Sequence, residues 1–334
     1  MTTRCRVSNM RSLARFIPLI ASLGLLLPVL AGAHDNLHQR VSVLYAGSLA
    51  TVMERLGPVF VAATGYEYQG EAQGSLGAAR MIRDHLRQPD VFISADPSVN
   101  VNVLMGAANR NLVKWYTLLA SSQLVLGFSP ASRFADRFRD AQAGTVPWYE
   151  VLKTPGVRFG RGDPTIDPKG YRTLFLFRLA AEYYHRPDLY SLLGDPINAA
   201  QVFPEVVLMG QLQSGQCDAG IFYKHEAVAH KLPYISLPSE INLGDARFEN
   251  NYARQIYTTA KGERIAGSRI LLTITIPETV HDRQAALSFV RFMLSSDQFL
   301  RQFGLGTVEH QVGGDCTKVP VELRSLAAAG TFQP

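Results

Sequence analysis

The chain has 334 residues, of which 47% are hydrophobic and 18% charged, a balance that suits a globular protein of one or two domains and excludes a disordered or low-complexity chain. The formal net charge is +5, from 33 Lys+Arg against 28 Asp+Glu, but Arg4, Arg6, Arg11 and Arg15 sit in a first segment without acidic residues, so the remainder carries only +1. With no Lys/Arg run or stripe left, a nucleic-acid footprint is excluded.

That first segment has the parts of a secretory signal: the four arginines as a basic n-region, Phe16 to Leu30 as an apolar h-region, and Ala31-Gly32-Ala33 as a small-residue cleavage site. Residues 1–33 are expected to be removed. The apolar run is shorter than the roughly 20 residues needed to span a bilayer, and no cysteine follows it to carry a lipid. Cys5 would leave with the leader; Cys217 and Cys316 then remain in an oxidising compartment, either paired or free.

Beyond the leader, strand-like runs fall at Val41–Tyr45, near Tyr66–Gln69, and at Val91–Ala95, Leu124–Phe128, Val157–Arg161, Ala219–Tyr223, Tyr234–Leu237 and Ile270–Ile276. Helical patterns lie between them, for example Leu49, Val52, Met53, Leu56 and Phe60, then Leu76, Ala79, Ile82 and Leu86. The alternation predicts an α/β protein with largely parallel sheets. Pro58 should bend or shorten the first helix. A long helical pattern from Asp282 to Phe303 should close at Gly304, followed by an irregular tail. With no flexible linker or internal repeat in the chain, two domains would have to be joined by strands.

Two corners share one local design. At "YAGSL", residues 45–49, a strand runs through Gly47 and Ser48 into a helix, and at residues 73–76, "QGSL", Gly74 and Ser75 repeat the arrangement. Ser48 alone reads as an N-cap. Two such corners at one end of a sheet would aim unpaired amides and helix dipoles at a shared crevice, which favours an anion.

A third stretch, "GRGDPTIDPKGYRTL" at 160–174, brings Asp167, Lys169 and Arg172 together. Asp167-Pro168 is a helix start, with an Asp cap and Pro at the first helical position. A carboxylate against a dianion makes sense if the anion carries a proton, if Lys or Arg offsets the charge, or if the central atom accepts a carboxylate oxygen. Tyr223, ending a strand in "CDAGIFYKHEAVAH", could donate its hydroxyl to the anion or belong to the core, and Glu226 reads first as a solvated helix charge. Asp96-Pro97 reads as a plain turn. The chain carries no nucleophile elbow, Walker loop or dinucleotide fingerprint.

In order and spacing, "YAGSL", "GS" at 74–75, "PDVFISAD" at 89–96, "DPKGYRTL" at 167–174, "YKHEAVAH" at 223–230, "LPSEINLGD" at 237–245 and "ITIPETVHDRQAALSFVRFMLS" at 274–295 resemble the periplasmic molybdate/tungstate-binding proteins of ABC importers, most closely the tungstate-type branch. The resemblance implies a type II periplasmic-binding fold, with lobe 1 over 38–122 plus 275–320, lobe 2 over 123–274 and an irregular tail at 321–334. It implies a periplasmic monomer that holds molybdate or tungstate as ligand, without a cofactor or catalysis, and delivers it to an inner-membrane permease and its ATPase. Gly47, Ser48 and Ser75 would bind the oxo groups, Asp167 would reach the metal centre directly, and Tyr223 would close the pocket. The branch's second carboxylate falls at Phe222 here, so Glu226 would replace it or the anion would keep fewer ligands. Lys169 stands where relatives often have Cys and could offset Asp167. Within the same fold the alternatives are a sulfate or phosphate receptor and a ferric-iron receptor in which Tyr183, Tyr184 and Glu226 converge. Outside it, the alternative is a hydrolase using Asp167 and His225.

Overall fold

The computed structural model describes residues 39–193, 199–260 and 262–332; the expected leader, 1–33, lies outside them. β1 (Arg40–Ala46) passes through a 3-10 turn, Gly47–Leu49, into α1 (Ala50–Thr64), β2 (Glu67–Gln73) leads into α2 (Ser75–Arg83), and β3 (Val91–Ser94) into the single turn α3 (Pro97–Val99). β4 (Trp115–Ser122) and β5 (Leu124–Phe128) follow, then α4 (Ala135–Gln142), α5 (Trp148–Leu152), β6 (Phe159–Gly162), α6 (Pro168–Tyr183) and α7 (Asp188–Leu193). β7 (Val202–Phe203), α8 (Glu205–Gln213), β8 (Ala219–Tyr223), α9 (Lys224–Ala229), β9 (Tyr234–Ser236) and α10 (Glu249–Tyr252) come next. The chain then forms β10 (Ile256–Thr258), β11 (Arg264–Ala266), β12 (Ile270–Thr275), α11 (Arg283–Leu294), α12 (Asp297–Gln302), β13 (Gln311–Gly314) and β14 (Ala328–Phe332).

Among the described residues the strands build a seven-stranded sheet in the order β14-β13-β4-β12-β3-β1-β2, a five-stranded sheet in the order β7-β6-β8-β5-β9, and the hairpin β10-β11. The α/β class is as expected, but the sheets are mixed rather than largely parallel. β1 pairs in parallel with β2 and β3, whereas β12 runs antiparallel to both β3 and β4, and β5 antiparallel to both β8 and β9. The strands that carry the chain across between the sheets enter each one against the direction of its βα units. Only Gln123 separates β4 from β5, and all of β12 lies in the larger sheet.

Burial follows the sequence pattern. Val52, Met53, Leu56 and Phe60 of α1 are fully buried, and the Phe60 ring meets Phe289 of α11 edge-on at 5.0 Å. Polar, exposed β2 forms one edge of its sheet, where charged side chains discourage further pairing. β4 is not anticipated, because its continuous apolar run has the composition of a doubly covered strand without an alternating signature. α1 runs past Pro58 to Thr64 without being shortened. The 282–303 pattern splits at Ser295 and Ser296 into α11 and α12, where the Ser296 hydroxyl donates to the Phe292 carbonyl at 2.6 Å, and Gly304 follows in a left-handed conformation. The tail expected to be irregular contains β14, which pairs in parallel with β13, since ladder bonds need only backbone groups. No helix among the described residues is long and apolar enough to cross a membrane.

Candidate functional site

Ser48 lies in the 3-10 turn between β1 and α1, one residue ahead of the helix cap, Leu49. The sequence reading as an N-cap is therefore corrected: the Ser48 hydroxyl is buried and has no hydrogen-bond partner among the described residues. The Gly47 backbone packs closely against two side chains. A Cβ at position 47 would lie 2.9 Å from Glu205 Oε2 and 3.0 Å from Val206 Cγ1, both at the start of α8.

The second corner has the same shape with a different hydrogen bond. Gly74 caps α2, and buried Ser75 at its first position accepts from the Ala95 amide at 3.0 Å, leaving its hydroxyl hydrogen to donate. A Cβ at Gly74 would lie 2.7 Å from the Ile166 carbonyl and 2.9 Å from Asp167 Cβ, while the Gly77 amide donates to that carbonyl at 3.0 Å. The two corners thus abut the starts of α8 and α6, both from the five-stranded half.

Asp167 caps α6 with Pro168 at its first position, as the sequence indicates. Its Oδ1 accepts from the Gly170 amide at 3.2 Å; its Oδ2 is buried without a partner among the described residues. Burial pushes the Asp167 carboxyl up to about 6, against the pull of Lys169 and the Gly170 amide. Lys169, also fully buried, places Nζ 2.6 Å from Glu226 Oε1 and 3.4 Å from Glu205 Oε1. Burial works to lower this ammonium, but Glu226, Glu205 and Asp167 outweigh it and hold it charged.

Glu226 is buried, which corrects its reading as a solvated helix charge, and both of its oxygens have partners within the protein. One oxygen takes Lys169 and the other accepts from the Tyr223 amide at 2.7 Å, capping α9 from inside. Phe222 lies under the Lys169 ammonium, 5.4 Å from its ring centre. The carboxylate that sequence reasoning missed is Glu205. It is buried, its Oε2 has no partner among the described residues, and burial raises its carboxyl to about 8. The only sequence signal for it is an acidic residue after a proline in a first helical turn, which marks helix starts in general.

A second network closes over these groups. Arg172 reaches from α6 to the Ala95 carbonyl at 2.6 Å, the Tyr223 hydroxyl at 3.0 Å and Asp96 Oδ2 at 2.8 Å, and the Tyr171 hydroxyl donates to the same Asp96 oxygen at 2.7 Å. Asp96 is therefore more than a turn residue: it caps α3 through Oδ1 and joins the two halves through Oδ2. Tyr223 is fully buried, its hydroxyl oxygen accepts from Arg172 while its hydrogen is left to donate, and burial holds its phenol well above the usual range.

Gly47, Ser48, Ser75, Asp167, Tyr223 and Glu226 thus fall in one region, where three buried oxygens, Ser48 Oγ, Asp167 Oδ2 and Glu205 Oε2, lack partners among the described residues. The groups invoked for iron do not converge. Tyr183 lies 14 residues along α6 from Lys169, the partner of Glu226, about 20 Å by helical rise, and Tyr184 packs on Trp148 and Tyr149. His225 is pushed down to about 3 by burial and Lys169, with Nδ1 2.9 Å from Ser122 Oγ, so it stays neutral near pH 7 and is poorly placed as a general base. Cys217 is buried, Cys316 exposed, and both are free.

Residues 41–305 match the family described as bacterial extracellular solute-binding protein. A putative ABC transporter molybdenum-binding protein of Haloferax volcanii is 36% identical over 235 residues, covering 70% of this chain and 72% of its own length. A molybdate/tungstate-binding protein of Thermococcus kodakarensis is 30% identical over 282 residues, 76% and 78% of the two chains. The solved periplasmic molybdate-binding protein of Azotobacter vinelandii superposes with a TM-score of 0.56 at 16% identity, covering 80% of this chain and 99% of its own, a likeness of fold. That fold is the two-lobed type II periplasmic-binding fold, and the chain belongs to the bacterial extracellular solute-binding protein family.

Proposed function

We propose that the chain is the periplasmic component of an ABC importer that encloses molybdate or tungstate between its two halves and delivers it to a membrane permease driven by an ATPase. The single observation that carries this reading is the buried Ser48 hydroxyl, unpartnered among the described residues, at the meeting point of two Gly-Ser corners and two helix starts. Buried polar atoms are costly to leave unpaired, and a small oxyanion between the halves would engage the Ser48 and Ser75 hydroxyls and the first-turn amides of the corners. The molybdenum- and tungsten-oxyanion relatives at 30% identity and above point to the same cargo.

In this reading the leader directs secretion and is removed, and the protein acts as a monomeric receptor rather than an enzyme. Asp167 selects among anions because its free oxygen repels a fully ionised oxo group unless a proton or the central atom intervenes. The Arg172–Asp96–Tyr171 network holds the closed arrangement that a permease would recognise. A thermal-shift series tests the reading: molybdate and tungstate at about 100 times Kd should add about 2.7 kcal/mol of stability. Melting unchanged by either anion at millimolar concentration contradicts it.

A further inference from the structure

Glu205 opens the first turn of α8, is buried, and has one carboxyl oxygen 3.4 Å from Lys169 Nζ and the other without a partner among the described residues. Two observations fix where the unpartnered oxygen points. A Cβ on Gly47 would stand 2.9 Å from it and 3.4 Å from the carboxyl carbon, so the group lies against the backbone of the first corner, one residue before Ser48. Lys169 holds the opposite oxygen while also holding Glu226 at 2.6 Å, which anchors the carboxyl in that orientation. Glu205 and Glu226 thus share a single ammonium, which also feels the charge of Asp167 from farther off, and Glu226 already has both oxygens engaged.

We propose that Glu205 is a further anion-contacting residue and that it sets selectivity, rejecting oxyanions that neither share a proton nor accept another oxygen at their central atom. The inference rests on the oxyanion reading above. A carboxyl oxygen set against an oxo oxygen is an acceptor facing an acceptor, so the contact is favourable in only two cases. In one, a proton carried by the anion or by the carboxyl lies between them. In the other, the carboxylate oxygen donates an electron pair to a large central metal, with no bond broken and no change of oxidation state. Sulfate carries no proton and its sulfur takes no fifth oxygen, so it meets neither condition once the Glu205 carboxyl has lost its own proton, above about pH 8. Molybdate, whose metal is larger, meets the second condition.

Calorimetric titration of the purified protein, Glu205→Gln and Glu205→Ala with molybdate and with sulfate at a pH above about 8, where the Glu205 carboxyl is ionised, tests this, with weak sulfate binding read by competition against molybdate. Melting without ligand verifies that each variant is folded. The Gln variant keeps an oxygen for Lys169 and can turn a donor amide toward the anion; in the Ala variant Lys169 keeps Glu226. The expected result is a sulfate-to-molybdate Kd ratio that narrows by about tenfold in a folded variant. A ratio that narrows by threefold or less in every folded variant overturns the role of Glu205 while leaving the oxyanion reading intact. Wild-type protein that binds neither molybdate nor tungstate overturns both.

Discussion

Arg172 of α6 donates to Asp96 Oδ2 at 2.8 Å across the two halves of the molecule, with both side chains buried. A buried pair of this kind adds little net stability when intact, because desolvation offsets attraction, but removing one partner strands a charge. Asp96→Ala is therefore expected to lower the unfolding free energy by about 3–5 kcal/mol, read by urea denaturation. It should also weaken anion binding, since the closed form loses a contact that spans it. A loss of stability below about 1 kcal/mol would show that Arg172 finds other partners.

The two serines should separate cleanly. Ser75 accepts from the Ala95 amide, so Ser75→Ala costs about 1 kcal/mol of unligated stability as well as affinity. Ser48 has no partner to lose, so Ser48→Ala leaves unligated melting unchanged or raised while weakening anion binding by about 1–3 kcal/mol. Equal losses of unligated stability in the two variants would argue against the Ser48 hydroxyl being held in reserve for a ligand.

Glu226→Gln should act on the fold. It removes the charge that faces Lys169 at 2.6 Å but keeps an acceptor for the Tyr223 amide. A loss of about 1.5–3 kcal/mol in the absence of any anion is expected from denaturation. Unchanged unligated stability combined with lost binding would instead make Glu226 a ligand.

The pH dependence follows from Glu205, whose folded carboxyl is raised to about 8 from its ordinary 4.5, burial being the main cause. A raised carboxyl pKa means that the folded state holds its proton more tightly than the unfolded chain does. The associated stability is complete below about 4.5 and is lost as pH rises through about 8. Unligated melting temperature should therefore fall across that window, and Glu205→Gln should flatten the slope. Equal slopes in the two proteins would place the titration elsewhere.

Much of this was legible in the sequence because local rules and final contacts agree. The Asp167-Pro168 helix start, the Gly74-Ser75 corner and strands such as β5 and β8 appear where capping and hydrophobic pattern place them. What was not legible depends on long-range approach. Glu226 has the sequence context of a solvated helix charge until Lys169, 57 residues away, meets it. Asp96 looks like a turn until Arg172 and Tyr171 arrive from the other half, and Glu205 is ordinary until Gly47 comes within contact. The antiparallel entry of β12 and β5 is likewise invisible to patterning, which fixes the faces of a strand but not its direction.

The central claim, that the buried oxygens of Ser48, Asp167 and Glu205 surround a metal oxyanion, is tested most directly by calorimetry of the purified protein with molybdate, tungstate, sulfate, phosphate and ferric citrate. Molybdate and tungstate should bind one per chain at micromolar concentration or below, and sulfate and ferric citrate should bind much more weakly. Failure of both metal oxyanions to bind at micromolar concentration, or tighter binding of sulfate or ferric citrate, would contradict it.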